Sequence, residues 1–319
     1  MKCDIIMIIW NELDVTKKAL ESIKNNSNFP YRLILIDNNS EQNTKQWLKT
    51  IEKTQEFGET IVIFNKENLG WIKGINKGLE IADSKYICFM NNDILCGYNW
   101  LHNMIDTMEK YPEIGLANPK GNETSENKKI KDLNEYAKTL EKENKNKFIE
   151  LEHCSGFCML VKKEVVDKIG YLDEVYGFGY YEDNDYSYKA KKAGYLCVEI
   201  SNAIVYHFIS KSVNKNIEWK KKIIEKNKKI FEKRWGKQIR SLILNFKKDN
   251  DFLKRARNGE ILFIIENEFC NSKNCNYFHS NIKFLNGGII SKLFPHVYFI
   301  YKSKYMVYKK RIDRSMIEY

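Results

Sequence analysis

Three acidic positions and one histidine, far apart in the chain, stand where their side chains suit chemistry. Asp37 follows the apolar run Leu33–Ile36 and opens the turn Asp37-Asn38-Asn39-Ser40. A carboxylate at the end of a buried strand accepts hydrogen bonds from a nucleobase or ribose, and it equally caps a turn, since Asp, Asn and Ser are strong turn formers. Asp93 follows Tyr86–Met90 and is preceded by Asn91-Asn92. Hard oxygen donors there hold Mg²⁺ or Mn²⁺ across the oxygens of a diphosphate, although the pattern is also common in turns. Glu182-Asp183 come after Val175–Tyr181, a segment of glycines and the aromatics Tyr176, Phe178, Tyr180 and Tyr181. A carboxylate there takes a proton from a hydroxyl while the rings pack on sugar faces. Acidic residues at a helix start also answer the helix dipole. His207 lies just past Ala203–Tyr206 and before Ser210, Lys211 and Ser212, so an imidazole there completes a cation's shell with the lysine and serines on phosphate oxygens.

The elements that must position these residues follow from hydrophobic periodicity. Ile5–Trp10, Leu33–Ile36, Ile61–Phe64 and Tyr86–Met90 are short continuous apolar runs, as expected of strands covered on both faces. Between them Thr16–Ile23, Thr44–Ile51 and Ile72–Ile81 have helical spacing, the last with Ile75, Leu79 and Ile81 turned inward. Repeated strand–helix units predict a mostly parallel, Rossmann-like α/β sheet flanked by helices, with ligands at the carboxyl ends of its strands. Residues 121–150 are charged and Asn-rich and read as a surface excursion with a helix near Leu133–Leu140. Strand Cys154–Lys162, helix Lys163–Ile169, helix Glu182–Lys192, strands Tyr195–Ile200 and Ala203–Tyr206, and a long basic helix Glu218–Trp235 complete the pattern. Beyond residue 245 only Ile261–Ile265 suggests a strand.

Composition bounds the rest. A chain of 319 residues with 43% hydrophobic residues has material for a catalytic domain, expected at 1–240, and a basic C-terminal extension, 241–319. No apolar run reaches the roughly 18 to 20 residues of a membrane span, and no secretory signal is evident, so the expectation is a cytoplasmic protein with reduced thiols. The eight cysteines show no CxxC pair or zinc spacing, and Cys154, Cys158 and His153 offer too few ligands for a metal. From Ser210 to Tyr319 there are 26 Lys and Arg against 10 Asp and Glu, net +16, leaving −5 for residues 1–209. Such a basic part suits peripheral association with the inner face of an anionic membrane or with a polymeric acceptor. No nucleic-acid partner is expected.

Nucleotide recognition, neutralisation of a departing diphosphate and a base for a hydroxyl are the three needs of sugar transfer from a nucleotide carrier. The ordered motifs Trp10-Asn11, Leu35-Ile36-Asp37-Asn38-Asn39-Ser40, Asn68-Leu69-Gly70-Trp71, Gly74-Ile75-Asn76-Lys77-Gly78 and Phe89-Met90-Asn91-Asn92-Asp93 resemble family 2 glycosyltransferases of the GT-A fold, most closely their rhamnosyltransferase-like branch. Ser155-Gly156-Phe157-Cys158, Gly170-Tyr171-Leu172-Asp173-Glu174, Tyr181-Glu182-Asp183-Asn184-Asp185, Val205-Tyr206-His207 and Asn227…Phe231…Arg234-Trp235-Gly236 extend the likeness over residues 3–240. The resemblance implies an inverting, single-displacement transferase using Mn²⁺ or Mg²⁺. It assigns Asp37 to the nucleotide base, with Asn39, Asn68, Gly70, Trp71, Asn76 and Asn92 along the nucleotide sugar. Asp93 and His207 would serve the metal and diphosphate, and Asp183, beside Glu182, would be the general base. The partners it implies are a nucleotide-diphosphate sugar and a glycan, lipid-linked or protein acceptor. Asn91 stands where the family's metal motif has its first acid.

A sugar-phosphate nucleotidylyltransferase would need a Gly-rich phosphate loop after the first strand, yet the first glycine is Gly58. A catalytically inactive, transferase-like binding protein fits the basic extension, but it gives no reason for Glu182-Asp183 and His207.

Overall fold

The computed structural model describes residues 2–121, 132–208 and 217–235. Strand β1 (Cys3–Ile9) is buried along its whole length, as a run of apolar side chains on both faces requires. It pairs in parallel with β2 (Tyr31–Asp37) on one side and β4 (Tyr86–Met90) on the other, and β2 pairs in parallel with β3 (Glu59–Phe64). Helices α1 (Leu13–Asn26), α2 (Gln42–Thr54) and α3 (Gly70–Leu79) make the crossovers. The chain moves outward from β1 through β2 to β3 and then returns to β4 on the opposite side of β1. In open sheets, ligands bind at the carboxyl ends of the strands on either side of such a reversal, here β1 and β4.

The remaining elements are β5 (Ile94–Cys96), α4 (Trp100–Lys110), β6 (Ile114–Lys120), α5 (Leu133–Asn144), β7 (Phe148–Glu150), β8 (Cys158–Lys162), α6 (Lys163–Ile169), α7 (Glu182–Lys192), β9 (Leu196–His207) and α8 (Ile217–Trp235). The sheet runs β3-β2-β1-β4-β8-β6-β9-β5, with β7 also on β9. Only its first half is all-parallel. β8 is antiparallel to β4 and β6, β6 is parallel to β9, and β5 and β7 are antiparallel to β9. The GT-A-like α/β expectation therefore holds, with a mixed second half. The two strands expected at 195–206 are one: Ser201-Asn202 form a bulge where the register against β6 jumps, and Asn103 Nδ2 donates to the Asn202 carbonyl at 3.0 Å. Strands β5, β6 and β7 and helix α4 add to the expected elements. Residues 122–131 of the expected excursion and the strand at Ile261–Ile265 lie outside the described residues.

Close packing seats α3 on β1. A Cβ on Gly78 would lie 2.4 Å from Ile6 Cγ2, and one on Gly74 would lie 2.7 Å from Ile8 Cδ1. Gly74 and Gly78, four residues apart, present one smooth face that lets the helix approach the sheet. Ile81, expected inward, is 38% exposed because α3 ends at Leu79 and the chain turns away. At the amino end of the sheet, away from those carboxyl ends, Asp4 is fully buried and receives Arg32 Nε and Nη2 at 2.8 Å each and the N–H groups of Asp83 and Ser84. Six cysteines among the described residues are free and buried, as expected of core thiols. The chain divides at Lys228 into two compact units, and of Lys229–Tyr319 only the last turns of α8 are among the described residues.

Candidate functional site

Asp37 ends β2 in parallel register with Ile9 and Phe64. Its Oδ1 accepts the Ser40 N–H at 3.1 Å, the turn capping that its neighbours predict, while Oδ2 is buried with no hydrogen-bond partner among the described residues. A buried carboxylate oxygen without a donor is costly unless a ligand supplies one. Asn38 beside it donates Nδ2 to the Gly70 carbonyl at 3.0 Å and accepts Asn65 Nδ2 at 2.9 Å. This ties the end of β2 to the start of α3. Asn68 Oδ1 accepts the Gly70 N–H at 2.9 Å, and Gly70 has φ +75, with Phe178 so close that a Cβ would lie 2.7 Å from its ring. Only glycine meets both conditions. Asn39 is exposed and accepts Lys45 Nζ.

Asp93 and His207 are separated by most of the domain in sequence, yet antiparallel pairing of β5 with β9 sets Ile94 opposite His207. The Phe208 N–H donates to the Asp93 carbonyl at 2.8 Å, and His207 Nε2 lies 3.1 Å from Asp93 Oδ1 and 3.0 Å from Asn91 Nδ2. The imidazole stacks on Phe157 with centroids 5.4 Å apart and planes 17° apart. The Asn91 N–H donates to the Phe157 carbonyl at 2.9 Å, and Asn92 Nδ2 donates to Thr16 Oγ1 on α1 at 2.9 Å.

Phe157 leads to the third carboxylate. The N–H of the preceding Gly156 donates to Asp183 Oδ2 at 3.2 Å, while the Asn184 N–H donates to Oδ1 at 2.8 Å. Asp183 is half-buried at the start of α7. Gly156 also faces Trp71, whose indole Nε1 would lie 3.4 Å from a Cβ there, and the Trp71 N–H donates to the Phe178 carbonyl at 3.2 Å. Gly70-Trp71 thus touches the Asp37 turn through Asn38 and the Asp183 loop through Gly156 and Phe178. Glu182 is buried with Oε2 unpartnered among the described residues, and burial, then the neighbouring Asp183, pushes its carboxyl well above the usual carboxylate range.

Asn76, expected along the nucleotide sugar, bonds within the protein. It is buried, its Nδ2 donates to the Leu172 carbonyl at 2.9 Å and its Oδ1 accepts the Leu172 N–H at 3.0 Å. The amide is spent on anchoring the segment that leads into the Gly-aromatic loop. Tyr176 of that loop is buried and donates its hydroxyl to Asp185 Oδ1 on α7 at 3.1 Å. Asn38, Gly156, Phe157 and Asn227 had no expected role, because their contacts are made with residues about 27 to 51 positions away, in pairs that periodicity does not reveal.

A family profile described as glycosyl transferase family 2 matches residues 4–170. The chain belongs to this family. The match takes in Asp37, Gly70, Trp71, Asp93 and Gly156, and it ends before Glu182. Among curated proteins, the poly-beta-1,6-N-acetyl-D-glucosamine synthase of Staphylococcus aureus (strain MSSA476) is 25% identical over 173 residues, 53% of this chain and 41% of the synthase. The GalNAc(5)-diNAcBac-PP-undecaprenol beta-1,3-glucosyltransferase of Campylobacter jejuni is 24% identical over 181 residues, 55% of this chain and 56% of that enzyme. The chain therefore spans about half the length of these relatives. Among solved structures, GalNAc-T7 with UDP, GalNAc and Mn²⁺ aligns with a TM-score of 0.53 at 17% identity over 65% of this chain and 43% of its own. S. aureus TarS 1–349 in complex with UDP-GlcNAc aligns with a TM-score of 0.52 at 15% identity over 90% of this chain and 72% of its own. Both share the fold described above.

For a divalent cation, the donor set of this glycosyltransferase family member is sparse but suitable. Asp93 and His207 meet at 3.1 Å, and among the described residues no group of three or more His, Cys, Asp and Glu gathers to hold an ion. Mg²⁺ and its like are commonly bound by one or two carboxylates together with substrate phosphates and water, so these side chains fit an ion that arrives with a diphosphate. No described helix is long and apolar enough to cross a membrane.

Proposed function

We propose that the chain transfers a sugar from a nucleotide-diphosphate donor to an acceptor hydroxyl by a single inverting displacement, within a catalytic domain of residues 1–240. The observation that carries this reading is the continuous set of contacts from Asp93 and His207 through Phe157 and Gly156 to Asp183, at the carboxyl ends of the strands where Asp37 keeps an oxygen unpartnered among the described residues. Asp37 Oδ2 accepts a hydrogen bond from the nucleotide, in a crevice walled by Asn39, Asn68, Gly70, Trp71 and Asn92. Asp93 and His207 would hold Mn²⁺ or Mg²⁺, which when bound would supply stabilisation of the charge on the leaving phosphate oxygens. Asp183, oriented by two main-chain N–H groups, takes the acceptor's proton as the hydroxyl oxygen bonds to the anomeric carbon and the bond to the diphosphate breaks. Glu182 is buried beside it, and burial, then the neighbouring Asp183, raises its carboxyl and favours its protonated form.

The motif Asn91-Asn92-Asp93 supports membership of the rhamnosyltransferase-like branch, so deoxyhexose donors belong in any screen with UDP-linked hexoses. The Campylobacter relative's name specifies an undecaprenol-linked acceptor. Together with the net +16 of residues 210–319, this favours a lipid-linked acceptor at the anionic inner face of a membrane over a soluble one. Melting the full chain with a panel of UDP- and dTDP-sugars tests the proposal. A donor at about 100 times its Kd adds about 2.7 kcal/mol of stability. The expected result is a rise in Tm that requires Mn²⁺ or Mg²⁺. The absence of both stabilisation and nucleotide release for every donor would overturn it.

A further inference from the structure

Asn227 of α8 is completely buried, and its Nδ2 donates to the main-chain carbonyls of Tyr176 at 2.8 Å, Gly179 at 2.8 Å and Tyr180 at 3.0 Å. Two N–H bonds serve three acceptors, so one is shared. Its Oδ1 has no hydrogen-bond partner among the described residues. Turning the amide over would aim one acceptor at three others, so it is the donors that this position supplies.

The carbonyls converge because the loop is sharply bent. Tyr180 and Tyr181 have φ +71 and +72 in succession, a backbone region that L-residues with side chains rarely adopt. Such a pair persists only where its surroundings over-determine it. Other groups on α8 reinforce the hold: Trp219 meets Phe178 edge-on at 6.1 Å, and Lys220 Nζ sits 5.4 Å from the Tyr180 ring centroid. The next two residues are Glu182 and Asp183, so the bend sets where α7 begins and where the Asp183 carboxylate stands.

We propose that Asn227 is a positioning residue for the transfer reaction. It acts through the Tyr176, Gly179 and Tyr180 carbonyls to fix the Tyr180-Tyr181 bend and so presents Asp183 to the acceptor hydroxyl. This rests on the reading of Asp183 as the base. A displacement of about 1 Å at such a group lowers a rate by about 100-fold.

The test compares the full chain with Asn227→Asp, which keeps the shape but replaces the donors with an acceptor, with Asn227→Ala, and with Asn227→Ser, which is smaller and retains one O–H donor. Amide hydrogen exchange over residues 176–183, Tm, and kcat and donor KM with the nucleotide sugar that the wild type consumes in Mn²⁺ are measured well below each Tm. Exchange is expected to quicken in 176–183 in all three. In the same samples kcat should fall at least about tenfold in the alanine and aspartate variants, with donor KM within about twofold and serine intermediate. A purely structural role would lower Tm and leave kcat intact. The proposal is overturned if loop exchange is unchanged in the variants that fold, or if the loop loosens while kcat stays at the wild-type value. If the wild type consumes no nucleotide sugar, the glycosyl-transfer reading fails separately, and the exchange measurement still decides whether Asn227 holds the bend.

Discussion

Glu182 illustrates how one residue's chemistry reaches the stability of the molecule. Burial, then the charge of Asp183, raises its carboxyl well above the usual range. Below about pH 4, near the ordinary glutamate value, folded and unfolded chains both hold this proton. Above that, the unfolded chain releases it while the folded chain keeps it, so Glu182 erodes stability as pH rises toward its folded value. Glu182→Gln is therefore expected to melt higher than wild type at pH 7 and to match it near pH 4, read by thermal denaturation across pH. An equal difference at every pH would count against this account. At this scale the placement of Asp37, Asp93, Asp183 and His207 was legible in the sequence, because each marks a strand end or helix start. The hydrogen-bond partner of Asn76 was not. A polar residue in the motif Gly74-Ile75-Asn76-Lys77-Gly78 reads as a ligand contact, and only the fold reveals that Leu172 takes both ends of its amide.

Among the elements, the packing of α3 on β1 makes a graded prediction. Replacing a helix-interior glycine by alanine gains about 1 kcal/mol in propensity, while overpacking a core costs about 1–3 kcal/mol. At Gly74 the added methyl meets the flexible end of Ile8, so the two effects nearly cancel. At Gly78 it meets the stiff β-branch of fully buried Ile6 at 2.4 Å, so the cost wins. Urea midpoints should fall clearly for Gly78→Ala and little for Gly74→Ala, and the reverse order would contradict the packing. The first parallel half of the sheet was readable from its apolar runs, and α6 and α7 match their expected bounds. Helix α4, outside the expected elements, carries a helical period in its buried Trp100, Leu101, Met104, Ile105 and Met108. Strand β5 has only three residues, too short for any period, yet its pairing with β9 is what brings Asp93 to His207.

For the molecule as a whole, the candidate site at one end of the sheet is balanced by a buried ion pair at the other. Burial pushes the Asp4 carboxyl up, but its bonds from Arg32, Ser84 and Asp83 outweigh burial and hold it below the usual range. With a lowered folded value, its contribution is present above about pH 4, where the unfolded carboxyl ionises, and is lost as pH falls through the folded value. Arg32→Met leaves that charge unpaired and is expected to cost about 3–5 kcal/mol at neutral pH, with the deficit shrinking in acid. A denaturant titration with no pH dependence would refute it. The family match covers residues 4–170, and Asp183 and His207 join it only through folding. The central claim is that these distant carboxylates act on one donor, and calorimetry of donor binding in Mn²⁺ alongside nucleotide release tests it most directly. The account predicts that Asp93→Ala weakens donor binding at least about tenfold, while Asp183→Asn keeps Kd within about twofold and loses about 100-fold or more in turnover. An Asp183→Asn enzyme that releases nucleotide at the wild-type rate would contradict it.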